Sequence, residues 1–343
     1  MPAGTSESHE VWRSKLVNRV GIRGIEITTP ARLHFGLLDV RPPFGGCGVM
    51  VEEPITRVRA TRCDELCIDA RLQSRWEQLQ PALRRVIGRP IEGVRLDLLA
   101  SPPAHNGLGS GTQLSLAMVE AVWSLLGGRP HLEDLVRIAD RRRRSAVGSM
   151  GYLRGSFVVE GLIRQDSPGD VGVTPDIPEA PDIPEAWRVA LVLPAEEEGV
   201  EPVETVSGQA EQTHFDALPS ATKRQREEME RGIVMEMMPS LELGDFQRFT
   251  DAVQIYNRLS GQLFAPVQGG PYRSLSKRWI ETLTAMGYQG AGQSSWGPGV
   301  FAWHASEADA HQCREAWDVP GSRMLITKPT SSGRRLKLIN DED

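Results

Sequence analysis

Lysine is scarce in this chain of 343 residues. Only five of its 39 basic residues are lysine, and none lies between Lys15 and Lys223. A Walker-type phosphate loop requires a lysine directly after its glycines, and a Schiff-base enzyme requires one in its pocket. The N-terminal half therefore contains neither kind of site.

Cysteine pairs, excess basic charge and long apolar runs are also absent. The four cysteines form no C-x-x-C pair and no two histidines have zinc-ligand spacing, which disfavours a disulfide framework or a structural zinc. A net charge of −6 offers no basic footprint for nucleic acid or anionic lipid. No apolar run approaches the roughly 20 residues of a membrane span. We expect a soluble, cytoplasmic protein, since residues 1–24 also lack the apolar segment of a secretory signal.

The length exceeds what one hydrophobic core usually fills, at about 150 residues per domain. The pentapeptide D-I-P-E-A occurs twice, at residues 176–180 and 182–186, and proline at this density interrupts helices and strands. This segment indicates a boundary. We predict an N-terminal tail at residues 1–24, a first domain at 25–165, a linker at 166–186 and a second domain at 187–343.

Hydrophobic periodicity predicts both helices and strands along the chain. In the first half we predict strands at residues 25–28, 33–40, 94–100 and 155–160, and helices at 71–86, 114–126 and 132–144. In the second half we predict strands at 187–193, 300–304 and 323–328, and helices at 221–238, 243–263 and 274–286. The order indicates an α+β protein whose second half is a split β-α-β arrangement of the ferredoxin-like kind.

The most informative local motif is G-L-G-S-G-T at residues 107–112, which follows a predicted strand and precedes a strongly apolar helix. Glycines allow successive backbone N–H groups to converge on an anion, and the helix dipole adds about half a positive charge there. Ser110 and Thr112 add hydroxyls for a phosphate or a divalent cation. Two interpretations stay open: a phosphate site without lysine, or an ordinary strand-to-helix turn.

Two further segments carry polar groups in a regular arrangement. In an extended chain Arg32 and His34 face the same side, where they would grip a carboxylate or phosphate, or else face solvent. The turn Q-S-S-W at residues 293–296 lies among glycines, which indicates close approach of a ligand or of another backbone segment. The four consecutive arginines at 141–144 would point in different directions on a helix, which favours a solvated helix end.

These glycine-rich segments, in this order, resemble the GHMP superfamily of small-molecule kinases from about residue 25 to residue 328. Three motifs are similar to those of the β-ribofuranosylaminobenzene 5′-phosphate synthase family, GHMP relatives that are not kinases. The motifs are T-P-A-R-L-H-F-G-L-L-D at 29–39, H-N-G-L-G-S-G-T-Q at 105–113 and G-Q-S-S-W-G-P at 292–298. The resemblance implies a two-domain α+β fold with an N-terminal ribosomal-S5-like half and a C-terminal ferredoxin-like half.

The resemblance also implies an activity. Members of that family are glycosyltransferases of the pentosyl type in tetrahydromethanopterin biosynthesis. They join phosphoribosyl pyrophosphate to a para-substituted benzoate, here 4-hydroxybenzoate or 4-aminobenzoate, and release CO2 and pyrophosphate. We further expect Mg2+ as cofactor and, as the commonest default, a homodimer.

Two other functions stay open. One is an ATP-dependent GHMP kinase, although the kinases of the superfamily place a catalytic aspartate in a segment that corresponds to residues 145–155, where this chain has no carboxylate. The other is a non-catalytic protein that binds a phosphorylated ligand.

Under the synthase hypothesis Arg32 holds the benzoate carboxylate, His34 handles a proton or contacts phosphate, and Asp39 stabilises the oxocarbenium-like sugar. Asp39 and Thr112 are the expected metal ligands. The expected substrate-binding residues are Gly107, Leu108, Gly109, Ser110, Gly111, Thr112 and Gln113 in the loop, and Gln293, Ser294, Ser295 and Trp296 in the turn. The Trp296 indole either stacks on the aryl ring or packs at the turn.

Overall fold

A computed structural model describes residues 22–42, 44–141, 145–161, 180–195, 215 and 217–340. Most of the predicted tail and the first part of the predicted linker lie outside these residues. Within them, no helix combines the length and apolar character that crossing a bilayer requires. The predicted α+β class is confirmed, since two sheets are packed with helices.

Numbering of strands and helices follows chain order. The strands are β1 (Ile22–Leu37), β2 (Gly46–Arg62), β3 (Cys67–Ile68), β4 (Val94–Ala100), β5 (Phe157–Glu160), β6 (Arg188–Pro194), β7 (Gly292–Gln293), β8 (Val300–His304), β9 (Ser322–Thr327) and β10 (Arg335–Asn340). The α-helices are α1 (Gln73–Ile87), α2 (Ser110–Leu125), α3 (Leu132–Ile138), α4 (Val147–Arg154), α5 (Lys223–Arg231), α6 (Met238–Leu243), α7 (Phe246–Leu263), α8 (Ala265–Gln268), α9 (Ser274–Ala285) and α10 (Glu307–Ala316). A 3-10 turn, Ala70–Leu72, precedes α1, and a π-helical segment, Gly232–Met237, joins α5 to α6.

The first sheet is built on the long antiparallel pair of β1 and β2, and its order is β10-β1-β2-β4-β3 with β5 also paired to β2. We predicted two short strands where β1 is continuous, because Pro30 indicated a break. The register instead shifts between Thr29 and Ala31, which absorbs the proline within one strand. We did not predict β2, because its second half is rich in polar residues. These polar residues alternate with the buried Val58 and Ala60, as a half-buried strand requires.

The last strand, β10, returns to the first sheet and pairs with β1. The segment 187–343 that we predicted as a second domain therefore contributes a strand to the first one. Arg334, just before β10, forms a bidentate ion pair with the buried Glu120 of α2 at 2.8–3.0 Å, and Tyr152 of α4 donates to the same carboxylate. This network fixes the C-terminal strand to the core of the first half.

The second sheet has the order β7-β8-β6-β9 and forms the second half with α7, α9 and α10. One aromatic core joins it to the first sheet. Phe35 of β1 lies 5.2 Å from Phe301 and 6.2 Å from Trp303 of β8, measured between ring centroids. Such pairs contribute about 0.5–1.5 kcal/mol each beyond their buried area. The outer part of β1 is thereby held between the two halves, and the functional motifs lie around it.

Candidate active site

The glycine-rich loop lies directly against β1. The Arg32 backbone N–H donates to the Leu108 carbonyl at 2.9 Å, and Arg32 Nη2 donates to the Gly107 carbonyl at 3.3 Å. A Cβ atom at Gly109 would lie 3.0 Å from Arg32 Cβ and 3.1 Å from its Nε. The glycine therefore lets the arginine side chain cross the loop at van der Waals distance.

Helix α2 begins at Ser110, four residues before the predicted start, because Gly109 adopts a left-handed conformation with φ 69° and caps it. The N–H groups of Thr112 and Gln113 donate to the Gly109 carbonyl at 3.0 and 3.1 Å. Among the described residues, the N–H groups of Gly109, Ser110 and Gly111 have no acceptor. Three successive donors at a helix N-terminus form an anion-binding arrangement.

Two arginines from other helices and loops lie beside this helix N-terminus. Arg141 Nη2 donates to the Gly111 carbonyl at 3.2 Å and to Ser115 Oγ at 3.0 Å. Arg75 Nη2 lies 3.5 Å from the position that a Cβ atom at Gly111 would occupy. Burial lowers the pKa of Arg75, which nevertheless stays charged at neutral pH.

The positions of these two arginines differ from the sequence analysis. Arg141 packs on α2 rather than extending into solvent, and the remaining arginines of its run, 142–144, lie outside the described residues. Arg75 was not predicted as a site residue, because one arginine on an amphipathic helix carries no signal of its tertiary contacts.

The Q-S-S-W turn joins the loop and β1. Ser294 Oγ donates to the Gly107 carbonyl at 2.7 Å and accepts from the His34 backbone N–H at 3.1 Å. The Ser295 N–H donates to the His34 carbonyl at 3.2 Å. All three sequence motifs therefore meet, and the small residues of the turn permit the close approach of backbone segments.

Asn257 of α7 links the same elements. Its Nδ2 donates to the carbonyls of Phe35 at 2.6 Å and Gln293 at 2.9 Å, and its Oδ1 accepts from the Gln293 N–H at 3.0 Å. Asn257 was not among the predicted site residues. The available signal was a polar amide among the apolar positions of the predicted helix 243–263.

A cavity of about 420 Å³ opens where these segments meet. From the first half it is lined mainly by polar and charged residues, Arg32, His34, Thr112, Asp140, Arg141 and Ser145, together with Phe35, Gly36 and Leu37 of β1. From the second half it is lined largely by aromatic and amide side chains, among them Phe215, Phe264, Gln268, Tyr272, Gln293 and Trp296. Such a cavity suits a ligand with an anionic part and a flat apolar part.

Trp296 both packs at the turn and faces the cavity. Its ring centroid lies 4.8 Å from that of Phe264 and 5.5 Å from that of Phe215, in edge-to-face geometry in both cases. The two roles that we considered for it are therefore compatible, because Trp296 lines the cavity and also packs against other aromatic rings.

His34 is almost completely buried, with 4% of its surface exposed. Its Nε2 lies 3.0 Å from Ser145 Oγ and 3.7 Å from Glu160 Oε1. Burial lowers the pKa of His34 from its usual 6.5, Glu160 opposes this shift, and the Arg32 charge adds to it. The imidazole is neutral at pH 7. Glu160 was not predicted as a site residue, because it is the last residue of the apolar strand β5 and belongs to no motif.

Asp39 is not among the residues that line the cavity. Its fully buried carboxylate accepts the N–H groups of Arg41 and Ala221, each at 3.1 Å, and forms an ion pair with Arg226. The structure therefore does not bring Asp39 together with Thr112 as the metal pair that we predicted, because three donors from the protein already occupy its oxygens.

Some of the predicted loop residues are buried in the protein and do not line the cavity. The Leu108 side chain lies in the hydrophobic core. Gln113 is fully buried, accepts from the Thr29 hydroxyl and donates to the Gly148 carbonyl at 2.8 Å. Its side chain holds α2 against β1 and α4. Of the candidate residues, Arg32, His34, Thr112, Gln293, Ser295 and Trp296 line the cavity.

Comparisons with known folds agree with this arrangement. Residues 75–152 match the model of the GHMP kinase N-terminal domain. The structure is similar to homoserine kinase from Cytophaga hutchinsonii, with a TM-score of 0.64 at 18% identity over 92% of this chain and 98% of that chain. It is also similar to mevalonate diphosphate decarboxylase from Staphylococcus aureus, with a TM-score of 0.62 at 12% identity over 92% and 98%. These likenesses show the GHMP fold, as predicted.

Sequence comparison gives relatives that are named β-ribofuranosylphenol 5′-phosphate synthase. The protein of Methanothermobacter thermautotrophicus is 28% identical over 302 residues, 80% of this chain and 87% of the relative. That of Methanocaldococcus jannaschii is 26% identical over 338 residues, 90% of this chain and 99% of the relative. The predicted resemblance is confirmed. The chain is a GHMP-fold relative of these synthases.

In this GHMP-fold protein, the segment that would carry a kinase aspartate forms α4 and the turn before it. Ser145 and Gly148 stand there, and Gly148 allows Thr112 and Arg32 to lie within 3.4 and 3.6 Å of the position of its missing Cβ. Two buried carboxylates lie near this segment: Glu120 accepts from the Tyr152 hydroxyl and is paired with Arg334, and Glu160 accepts the Ala146 N–H. Neither Glu120 nor Glu160 is among the residues that line the cavity.

Oxygen ligands for a divalent cation are few at this site. Within the described part of the chain, no group of three His, Cys, Asp or Glu side chains is placed to hold a metal. Thr112 and Asp140 both line the cavity, and their side chains carry a hydroxyl and a carboxylate. Mg2+ in phosphate sites typically takes one or two protein oxygens and completes its shell with phosphate and water. These two groups fit that pattern.

Proposed function

We propose that the chain transfers a phosphoribosyl group from phosphoribosyl pyrophosphate to a para-substituted benzoate with decarboxylation, releasing CO2 and pyrophosphate, in tetrahydromethanopterin biosynthesis. The observation that carries the proposal is the set of three backbone donors at Gly109, Ser110 and Gly111 beside a cavity with cationic and aromatic sides. The relatives are named for a phenol product. That name favours 4-hydroxybenzoate over 4-aminobenzoate as acceptor.

Departure of pyrophosphate from the sugar develops negative charge on the leaving group. The N–H groups of residues 109–111, which have no acceptor within the described parts of the chain, stabilise this charge, and Arg75 and Arg141 add positive charge next to them. One well-placed donor in such a site contributes about 3–4 kcal/mol to the transition state. This arrangement needs no lysine, in agreement with the absence of lysine between residues 15 and 223.

The aromatic side of the cavity receives the benzoate. Trp296 and Phe264 offer ring surfaces, and Arg32 reaches the cavity as partner for the carboxylate. The ring carbon that bears the carboxylate attacks the anomeric carbon of the sugar. The new C–C bond forms as pyrophosphate leaves, and the C–CO2 bond then breaks and returns its electron pair to the ring.

We propose Mg2+ as the cofactor, held by Thr112 and Asp140 together with diphosphate oxygens. Bound there, the ion would supply neutralisation of the diphosphate charge. The protein supplies the backbone donors and arginines in any case. A homodimer is likewise a prediction, which sedimentation of the purified protein tests.

The test is a turnover assay with phosphoribosyl pyrophosphate, Mg2+ and each benzoate labelled in its carboxyl group. The release of pyrophosphate and of labelled CO2 is followed in the same reaction. Equal amounts of the two products support the proposal. Folded protein that yields neither product with either acid contradicts it. ATP turnover with a small-molecule alcohol would favour the kinase alternative, and tight phosphoribosyl pyrophosphate binding without turnover would favour the binding protein.

Arginine variants on α1 test the anion site. Arg75→Met removes a charge beside Gly111, whereas Arg85→Met removes an exposed one from the same helix. A charge-assisted hydrogen bond contributes about 1.5–3 kcal/mol, so we expect Arg75→Met to raise KM for phosphoribosyl pyrophosphate about 10- to 100-fold. Arg85→Met should leave it within about twofold. Equal KM values in both variants would show that Arg75 does not contribute to binding of phosphoribosyl pyrophosphate.

A further inference from the structure

Glu160 is a buried charged group that the proposed reaction does not use directly. It ends β5 and has 1% of its surface exposed. One carboxylate oxygen, Oε2, accepts the Ala146 N–H, whereas Oε1 has no hydrogen-bond donor among the described residues. The group that faces Oε1 is the His34 imidazole, with Nε2 at 3.7 Å. A buried carboxylate is costly unless a proton or cation lies nearby, so this pairing matters energetically.

The two ring nitrogens of His34 have different surroundings. Nε2 has two protein neighbours, Ser145 Oγ at 3.0 Å and Glu160 Oε1 at 3.7 Å. Nδ1 makes no hydrogen bond within the described parts of the chain, and His34 lines the cavity. Nδ1 is therefore the ring nitrogen left for a ligand in the cavity.

Electrostatics then selects one tautomer. A proton on Nε2 points a positive N–H toward Glu160 Oε1, a carboxylate oxygen that has no other donor among the described residues. A proton on Nδ1 would instead set the Nε2 lone pair against the lone pairs of that oxygen. In a low-dielectric interior such a difference is large compared with thermal energy. The partner of one ring nitrogen thus decides the state of the other.

We propose that Glu160 is a positioning residue that holds the proton on His34 Nε2, so that Nδ1 serves as the base for the phenol of a 4-hydroxybenzoate substrate. The inference rests on the proposed function. As the C–C bond forms, the phenol O–H bond breaks and its proton moves to Nδ1, while the oxygen electrons enter the ring. The resulting imidazolium is balanced by Glu160. After CO2 leaves, the phenolate takes the same proton back from Nδ1.

The charges around His34 come from several elements. Arg32 on β1 disfavours its protonation and Glu160 on β5 favours it. Cys47 on β2 and Tyr256 on α7 are near Glu160, but burial raises the pKa of both groups well above the usual values, so they are neutral. Asp140 and Arg141 face the same cavity and bear opposite charges. Glu160 is therefore the anion whose removal changes His34 most directly.

The first test is 15N NMR of the ligand-free protein with labelled histidine, which distinguishes a protonated from an unprotonated ring nitrogen. In the unsubstituted protein we expect the Nε2–H tautomer for His34. In Glu160→Gln the amide N–H donates to Nε2, so the proton should move to Nδ1 and the His34 pKa should fall. Glu120→Gln, a change at an equally buried carboxylate bonded to Tyr152 and Arg334, should alter neither. An unchanged tautomer and titration in Glu160→Gln would overturn the proposal.

The second test is kinetic. General-base catalysis contributes about 10²- to 10⁴-fold, so kcat of Glu160→Gln should fall by that order while KM for both substrates stays within about threefold. The acidic limb of its pH–rate profile should move to lower pH, because the neutral form of His34 then persists to lower pH. A benzoate with a more acidic phenol, 3,5-difluoro-4-hydroxybenzoate, is already ionised and should recover most of the lost rate. A stability loss matched by Glu120→Gln, with an unshifted profile and no recovery, would assign Glu160 a purely structural role.

The two tests separate failure of this inference from failure of the proposed function. The NMR experiment needs no substrate and decides the pairing of Glu160 with His34 by itself. Turnover in the unsubstituted protein decides the reaction. If the His34 tautomer changes in Glu160→Gln but the unsubstituted protein shows no turnover, the pairing stands and the phosphoribosyl transfer is rejected. If the unsubstituted protein turns over and Glu160→Gln has the same tautomer and rate, the transfer stands and the pairing is rejected.

Discussion

Substituting Gly107 by alanine tests whether the glycine-rich loop and the Q-S-S-W turn act as one unit. Gly107 has φ 78°, and a Cβ atom there would lie 2.1 Å from the Ser294 carbonyl oxygen. That oxygen belongs to the backbone, so the contact is relieved only by moving the loop away from the turn. The movement would weaken the Ser294 hydroxyl bond to the Gly107 carbonyl and displace the N-terminus of α2.

Gly88 provides a matched control. It caps α1 with φ 74°, and an added Cβ atom would meet nothing within 4 Å. The left-handed conformation costs an L-residue about 1–2 kcal/mol at either position. Overpacking adds about 1–3 kcal/mol, and only at Gly107. The loss of unfolding free energy should therefore be about 2–5 kcal/mol for Gly107→Ala and about 1–2 kcal/mol for Gly88→Ala, while the unfolded-state effect of the added methyl cancels between them.

Urea unfolding followed by tryptophan fluorescence measures both losses, and the pyrophosphate assay measures their effect on the site. We expect Gly107→Ala to be the less stable variant and to show a raised KM for phosphoribosyl pyrophosphate. Gly88→Ala should keep the unsubstituted KM. Equal stability losses, together with an unchanged KM in Gly107→Ala, would refute the idea that close packing of loop on turn positions the anion site.

Three further predictions concern the surroundings of the site. Asn257→Ala removes three hydrogen bonds between α7, β1 and the turn and should cost about 2–4 kcal/mol in urea unfolding, whereas a loss below about 1 kcal/mol would show that these bonds do not join the halves. Asp39→Asn should lower stability by about 1–3 kcal/mol because it weakens the bond to Arg226, and a fall in kcat at unchanged stability would instead place Asp39 in the reaction. Since burial lowers the pKa of His34, its contribution to stability should be complete above pH 6.5 and decline as the pH falls below that value. Urea unfolding midpoints measured between pH 7.5 and 5 give the decrease in stability per pH unit, which should be smaller in His34→Gln.

The three motifs were recognisable in the sequence because each depends on local chemistry. Glycine at residues 107, 109 and 111 leaves backbone N–H groups accessible whatever lies opposite, and the apolar run after them forms a buried helix. The alternation of Arg32 and His34 along an extended segment likewise placed both in one cavity. The fold class and the position of the glycine-rich loop at a helix N-terminus could therefore be predicted from the sequence, whereas its role as an anion site stays a prediction.

Other features depended on partners that are distant in sequence. The pairing of β10 with β1 uses backbone hydrogen bonds, which leave little trace in side-chain pattern. Asp39 belongs to the motif at residues 29–39, but its carboxylate is paired with Arg226, which lies 187 positions later in the sequence. The ion pair directs the carboxylate to Arg226 rather than to the cavity. Conversely, Glu160 and Arg75 belong to no motif, and packing brings them to His34 and Gly111. Sequence specifies which groups are available, but the long-range contacts that determine their charge and direction exist only once the two halves share a core.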